Sequence, residues 1–242
     1  MEIRKNIFQI SGGAYANIAN IFVIKGKDSL IMIDTAETAS DHEMLQTNMA
    51  YWGLDRYPVS HVLLTHKHFN HIGNAWRYQK KGAVIVAGAM DADAIETGNL
   101  EEICDYDPFP AKEAYIPCKV DLRVKDGDIF EAAGLSFQVF EVPGHTKGSV
   151  FYQLTMENQI LLFTGDVLNV KEDCSGAYLG WEGGYDFDRN AFFESIKKFS
   201  RLQCDVILPG HFQLCMQAGS RILNDAYRIA LTEWRKPSVP KE

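Results

Sequence analysis

Short apolar runs, each followed by a turn or a helical stretch, recur along this 242-residue chain and limit it to an α/β architecture. In the first third, strands are expected at Ile7 to Ile10, at Asn17 to Lys25 around Ile21-Phe22-Val23-Ile24, and at Ser29 to Asp34 around Leu30-Ile31-Met32-Ile33. Gly26-Lys27-Asp28 reads as the hairpin turn between the last two. A helix over Ser40 to Gly53 leads to the strand His61-Val62-Leu63-Leu64-Thr65, and a helix from near His71 leads to Ala83-Val84-Ile85-Val86.

The second half follows the same logic. Strands are expected near Val120 to Val124, Leu135 to Val142, Ser149 to Leu154 and Gln159 to Thr164, then a helix over Asp188 to Leu202 and the strand Asp205-Val206-Ile207-Leu208. Helical periodicity runs from Ala218 to Trp234. Strands in both halves with helices after them imply two packed sheets covered by helices outside. No low-complexity, charged or Pro/Gly/Ser-rich linker divides the chain, so a single domain over residues 1–242 is expected.

Five of the seven histidines fall directly after apolar strand runs. His66, His68 and His71 follow Leu63-Leu64-Thr65, His145 follows Phe140 to Gly144, and His211 follows Leu208-Pro209-Gly210. A lone histidine is ordinarily a hydrogen-bonded surface or core residue, and His42 and His61 take that reading. Five at strand ends are a different matter, because strand ends are where sites are built and neutral imidazole is a common ligand for zinc and related ions. In His66-Lys67-His68 two rings one residue apart in a turn can reach a single ion, and His71 returns a third. Gly144 before His145 and Gly165 before Asp166 permit the tight turns that aim a ligand inward. Asp166 adds a carboxylate, although such a residue taken alone serves equally well as a turn or cap residue.

Thr65-His66-Lys67-His68-Phe69-Asn70-His71, Pro143-Gly144-His145-Thr146, Thr164-Gly165-Asp166 and Pro209-Gly210-His211 together resemble, in order and separation, the motifs of the metallo-β-lactamase superfamily. The resemblance implies a four-layer αββα sandwich, two mixed β-sheets flanked by helices, with a metal cleft along one edge. It implies that His66, His68 and His145 bind a first metal, that Asp166 bridges, and that His71 and His211 bind a second. Ile33-Asp34-Thr35 is similar to the superfamily's early strand-end aspartate, which supports the site without binding metal. Asn70 departs from the pattern, which has an aspartate there that ligates the second metal and helps orient the attacking water. An amide oxygen is a weaker donor and accepts no proton at neutral pH, so a weakened or empty second site is expected. A one-metal enzyme, a two-metal enzyme tolerant of the amide and a deliberate substitution all fit.

The expected activity is hydrolysis of a small ester, thioester or lactone by a metal-activated water, with zinc as the metal, one or two ions, and iron or manganese as alternatives. Asp166 and Asn70 are the residues expected beside that water. Two other readings stay open. One is a mononuclear non-haem iron oxygenase of the persulfide-dioxygenase type using His66, His145 and Asp166. The other is a non-catalytic binding or sensing protein whose second site has decayed at Asn70. Val167-Leu168-Asn169-Val170 lacks the basic, glycine-rich continuation of the glyoxalase II and persulfide-dioxygenase branches, which counts against glutathione binding.

Two stretches without periodicity are expected to wall the substrate pocket: Asn99 to Pro117 with Tyr106, Phe109 and Tyr115, and Asn169 to Phe187 with Tyr178, Trp181 and Tyr185. Glu101, Glu102, Asp105 and Asp107 would disfavour a strongly anionic substrate there. A net charge of -8 speaks against nucleic acid or anionic lipid, leaving a small molecule as partner, with a homodimer possible. Met1 to Asn6 lacks a signal-peptide pattern, no apolar stretch reaches the ~18 residues of a membrane span, and five scattered cysteines suit a reducing compartment, so a cytoplasmic location is expected.

Overall fold

The computed structural model describes residues 1–12, 19–104, 115–180, 182 and 184–234. The first sheet has seven strands in chain order: β1 (Glu2–Arg4), β2 (Ile7–Gln9), β3 (Phe22–Lys25), β4 (Leu30–Ile33), β5 (Val59–Leu63), β6 (Val84–Gly88) and β7 (Leu122–Val124). Its β1–β4 pairings are antiparallel and its β4–β7 pairings parallel. β8 (Ile129–Ala132), β9 (Leu135–Glu141), β10 (Val150–Met156) and β11 (Gln159–Gly165) form an antiparallel meander, and β12 (Leu168–Val170) pairs with β13 (Ala177–Leu179) as a small ribbon. β14 (Val206–Pro209) then joins β11 in parallel and completes the second sheet in the order β14-β11-β10-β9-β8. Both large sheets are mixed, as expected.

Three apolar clusters account for the layers. Alternate residues of one strand serve two of them: Ile31 and Ile33 of β4 face Phe137, Val139, Tyr152, Leu161 and Phe163 of the second sheet, whereas Leu30 and Met32 face outward. That outer side is covered by α1 (Ala39–Tyr51), α2 (Phe69–Ile72), α3 (Ala75–Gln79) and α4 (Ala92–Thr97), through Leu45, Met49, Ile72, Tyr78 and Ile95. After α5 (Leu100–Ile103), α6 (Arg189–Phe199) and α7 (Gly219–Ile229) cover the far side of the second sheet with Phe192, Ile196, Phe199, Ile222 and Leu223 on Phe151, Leu162 and Ile207. A strand buried on both faces has no polar side, which is why β4 reads as an unbroken apolar run. The architecture is thus helices, sheet, sheet, helices.

Several boundaries differ from expectation. The strand expected over Asn17 to Lys25 is confined to Phe22–Lys25, while Asn17 and Ile18 lie outside the described residues. The stretch Asn169 to Phe187 is not irregular throughout, since it holds the end of β12 and all of β13, and Asn99 to Pro117 includes α5. The last helical stretch divides into α7 and a π-type turn over Ala230–Trp234. The helix expected over Asp188 to Leu202 spans Arg189–Phe199, and Asp188 caps it from outside, accepting the Asn190 and Ala191 N–H groups at 2.9 and 3.0 Å.

Candidate metal centre

The candidate ligands and the supporting Asp34 lie just beyond strand ends, with His71 in the short helix α2 that follows β5. Asp34 follows β4, the His66-to-His71 turn follows β5, His145 lies between β9 and β10, Asp166 follows β11, and His211 follows β14. The glycines before two of them, expected to permit tight turns, adopt positive φ, 136° at Gly144 and 48° at Gly165.

His66, His68 and His145 are buried and mutually adjacent. Ring centroids are 4.7 Å apart for His66 and His68, 4.8 Å for His66 and His145, and 4.7 Å for His68 and His145, with planes at 88°, 72° and 86°. Imidazoles that cross nearly at right angles point nitrogen edges at a common centre instead of stacking. Ligand atoms of these three fall within 4.8 Å of one another, and so do those of His66, His71 and Asp166. Among the described residues, the His66, His145 and Asp166 face expected for an iron oxygenase is not one of the groups brought together in this way.

The protonation states of His66, His68 and Asp166 suit ligation, whereas the carboxylates of Asp166 and Asp34 hold a proton on His71. Burial, reinforced by neighbouring imidazoles, holds His66 and His68 well below the ordinary histidine range, which leaves their lone pairs available. Burial opposes ionisation of Asp166, but the nearby His211 and His71 outweigh it and keep the carboxyl well below its usual range. His66 Nε2 and Asp166 Oδ1 are buried with no hydrogen-bond partner. Buried polar atoms without partners are uncommon, and on two electron-pair donors side by side they fit a cation.

Asp34 organises the site from behind. Its Oδ2 lies 2.9 Å from His71 Nδ1 and accepts the Thr65 hydroxyl at 2.8 Å, while its Oδ1 accepts the Thr65 N–H at 2.8 Å. Thr65 Oγ1 in turn stands 3.0 Å from His66 Nδ1, so one carboxylate orients two imidazoles and leaves both Nε2 atoms facing the cleft. On the other side, Asp166 Oδ2 is 3.3 Å from His71 Nε2 and 3.3 Å from His211 Nε2. Asn70 Nδ2 lies 3.1 Å from His211 Nε2, which places the departing residue beside the expected second-site ligands.

The sequence did not single out Asp91, Lys67 or Asp186. Asp91 is fully buried and accepts the Lys67 N–H at 2.9 Å, the Gly148 N–H at 2.7 Å and the Thr146 hydroxyl at 2.7 Å. Its one signal was its place shortly after the apolar strand β6. His42 and His61 stay outside the cluster; His42 meets the Tyr78 ring at 5.4 Å and His61 Nδ1 meets Ser60 Oγ at 2.9 Å.

Among the aromatics expected on the pocket wall, Tyr115 is instead part of the core, with its hydroxyl donating to the Ile95 carbonyl at 3.1 Å and its ring edge-on to Phe69. Tyr178 and Tyr185 are exposed, and Tyr178 pairs at 6.4 Å with the exposed Phe212, next to His211. Tyr106, Phe109, Trp181, Asp105 and Asp107 lie outside the described residues.

Comparison with known proteins identifies the family and the fold. The family model of the metallo-beta-lactamase superfamily matches residues 14–211. A hydroxyacylglutathione hydrolase of Ectopseudomonas mendocina is 34% identical over 112 residues, covering 46% of this chain and 34% of that protein's length. The human acyl-coenzyme A thioesterase MBLAC2 is 24% identical over 220 residues, covering 81% of this chain and 74% of that protein. In structure, the subclass B3 metallo-beta-lactamase BJP-1 of Bradyrhizobium japonicum aligns with a TM-score of 0.71 at 21% identity, covering 93% of this chain and 91% of that one.

Proposed function

Because this chain belongs to the metallo-β-lactamase superfamily, we propose that it is a metal-dependent hydrolase of small thioesters. The observation that carries the proposal is the buried His66, His68 and His145 cluster beside Asp166, with His66 Nε2 and Asp166 Oδ1 unpartnered. His66, His68 and His145 would hold one divalent ion, proposed to be zinc, with Asp166 at its edge; His71 and His211 would hold a second only weakly. When bound, such an ion lowers the pKa of water toward neutrality and polarises a carbonyl.

The chain's own residues supply the rest. Asp166 Oδ1, the carboxylate oxygen without a partner, accepts a hydrogen bond from the attacking water and fixes its direction. The water oxygen forms a bond to the carbonyl carbon, the carbon–sulfur bond breaks, and the proton released from the water ends on the departing thiolate. Asn70 has no basic oxygen to share this proton, so the task falls to Asp166. Thioesters are favoured over other carbonyl compounds because the two relatives above are named for hydroxyacylglutathione and acyl-coenzyme A hydrolysis. The exposed Tyr178 and Phe212 beside His211 suit the apolar part of such a substrate.

No described helix is long and apolar enough to cross a membrane. A cytoplasmic location is proposed, supported by five free cysteines. The test is a panel of acyl thioesters, matching oxygen esters and lactones, assayed with and without added zinc. Turnover of thioesters that requires metal supports the proposal, and metal-replete protein inactive on the whole panel contradicts it.

A further inference from the structure

Lys67 stands between His66 and His68, yet its side chain is only 2% exposed. Its ammonium lies 2.8 Å from Asp186 Oδ2, whose side chain is also 2% exposed, and 3.6 Å from Glu102 Oε2 of α5. Asp186 Oδ2 accepts a second hydrogen bond, at 3.1 Å, from the backbone N–H of Lys147, two residues beyond His145. Asp91 makes a parallel connection through the backbone, holding Lys67 N–H, Thr146 hydroxyl and Gly148 N–H together. Two buried carboxylates therefore join the turn that carries His66 and His68 to the loop that carries His145.

A buried ion pair is weak evidence of stabilisation. Withdrawing an ammonium and a carboxylate from water costs much of what their attraction returns, and apolar residues of similar volume commonly serve a fold as well or better. What an apolar pair does not supply is directionality. A charge-assisted bond of 2.8 Å to an oxygen that also holds the His145 loop fixes one backbone segment against the other. The three imidazoles depend on that separation, because His66 and His68 come from one segment and His145 from the other.

We propose that Lys67 and Asp186 are positioning residues that set the geometry of the three-histidine site by clamping the His66-to-His68 turn to the His145 loop, without touching metal or substrate. The inference rests on reading these histidines as metal ligands. Glu102 and Asp186 also tie α5 and the segment between β13 and α6 to the same ammonium.

The test separates positioning from bulk stability. Lys67→Met strands the Asp186 charge and should lower the melting temperature, whereas Lys67→Met with Asp186→Asn removes both charges and keeps an acceptor for the Lys147 N–H. The double variant should melt near the parent temperature. Cobalt(II) titration of chelator-treated protein then reads the site itself through the visible bands of the bound ion. The double variant is expected to bind cobalt about 10–100-fold more weakly than the parent, with altered band intensities, in the range usual for residues that orient metal ligands. Affinity within about threefold of the parent with an unchanged spectrum would overturn the inference. Lys67→Gln, which keeps a donor toward Asp186 without the charge, carries the same comparison if the double variant does not fold. A parent protein that binds no cobalt overturns the metal reading itself, whereas a binding parent with unaffected variants overturns this inference alone.

Discussion

The Asn70 amide nitrogen lies 3.1 Å from His211 Nε2, so a hydrogen-bond donor faces an imidazole nitrogen of the expected second site. Asn70→Asp exchanges that donor for a charged oxygen ligand beside His71, His211 and Asp166. Metal content, measured by elemental analysis, is expected to move from about one toward about two per chain, following ligand count. Two tightly bound metals in the parent, unchanged by the aspartate, would show that the amide does not weaken the site.

Asp34 contacts His71 directly and His66 through Thr65, and is itself 1% exposed. Asp34→Asn keeps the shape but replaces an acceptor toward His71 or Thr65 with an amide donor. Zinc affinity by chelator competition should fall about 10–100-fold. Parental affinity would mean that the two imidazoles hold their orientation without the carboxylate.

His71 gives a pH dependence. Burial lowers its affinity for a proton, but the Asp166 and Asp34 carboxylates on its two nitrogens outweigh burial and raise its pKa to about 10, from 6.5. A histidine whose pKa rises on folding stabilises the fold fully below the unfolded value and loses that contribution as pH climbs through the folded value. Chelator-treated protein should therefore lose melting temperature between pH 6.5 and about 10, and His71→Gln should flatten that decline. A parental melting temperature constant across the window would contradict the assignment.

Gly210 precedes His211 and donates its N–H to the Gly165 carbonyl at 2.7 Å, so it packs tightly against the Asp166 turn. A Cβ there would stand 2.2 Å from Asp166 Oδ1 and 2.9 Å from His71 Cε1. Gly210→Ala should displace the Asp166 carboxylate and lower thioester turnover by about 10²-fold or more, the scale associated with a misplacement near 1 Å. Retained activity would indicate that Asp166 does not hold the attacking water.

Much of this was legible in the chain because two signals are local. A strand buried on both faces must be apolar throughout, which made β4 and β11 visible, and a histidine after such a strand can be read without knowing its partners. The clamp was not legible, because Lys67 and Asp186 are 119 positions apart and each alone resembles an ordinary surface charge. Tyr115 was misplaced for a related reason: an aromatic in a stretch without periodicity packs into a core or lines a pocket with the same sequence signature. β12 and β13, at three residues each, are too short to produce a recognisable alternation.

The most direct measurement is a zinc titration of chelator-treated protein with thioester turnover followed at each point, alongside His66→Ala, His68→Ala and His145→Ala. Turnover in the parent should rise with bound zinc and reach its plateau near one equivalent, and each alanine variant should retain neither metal nor activity. Parental turnover without metal, or full metal content in all three variants, would contradict the account.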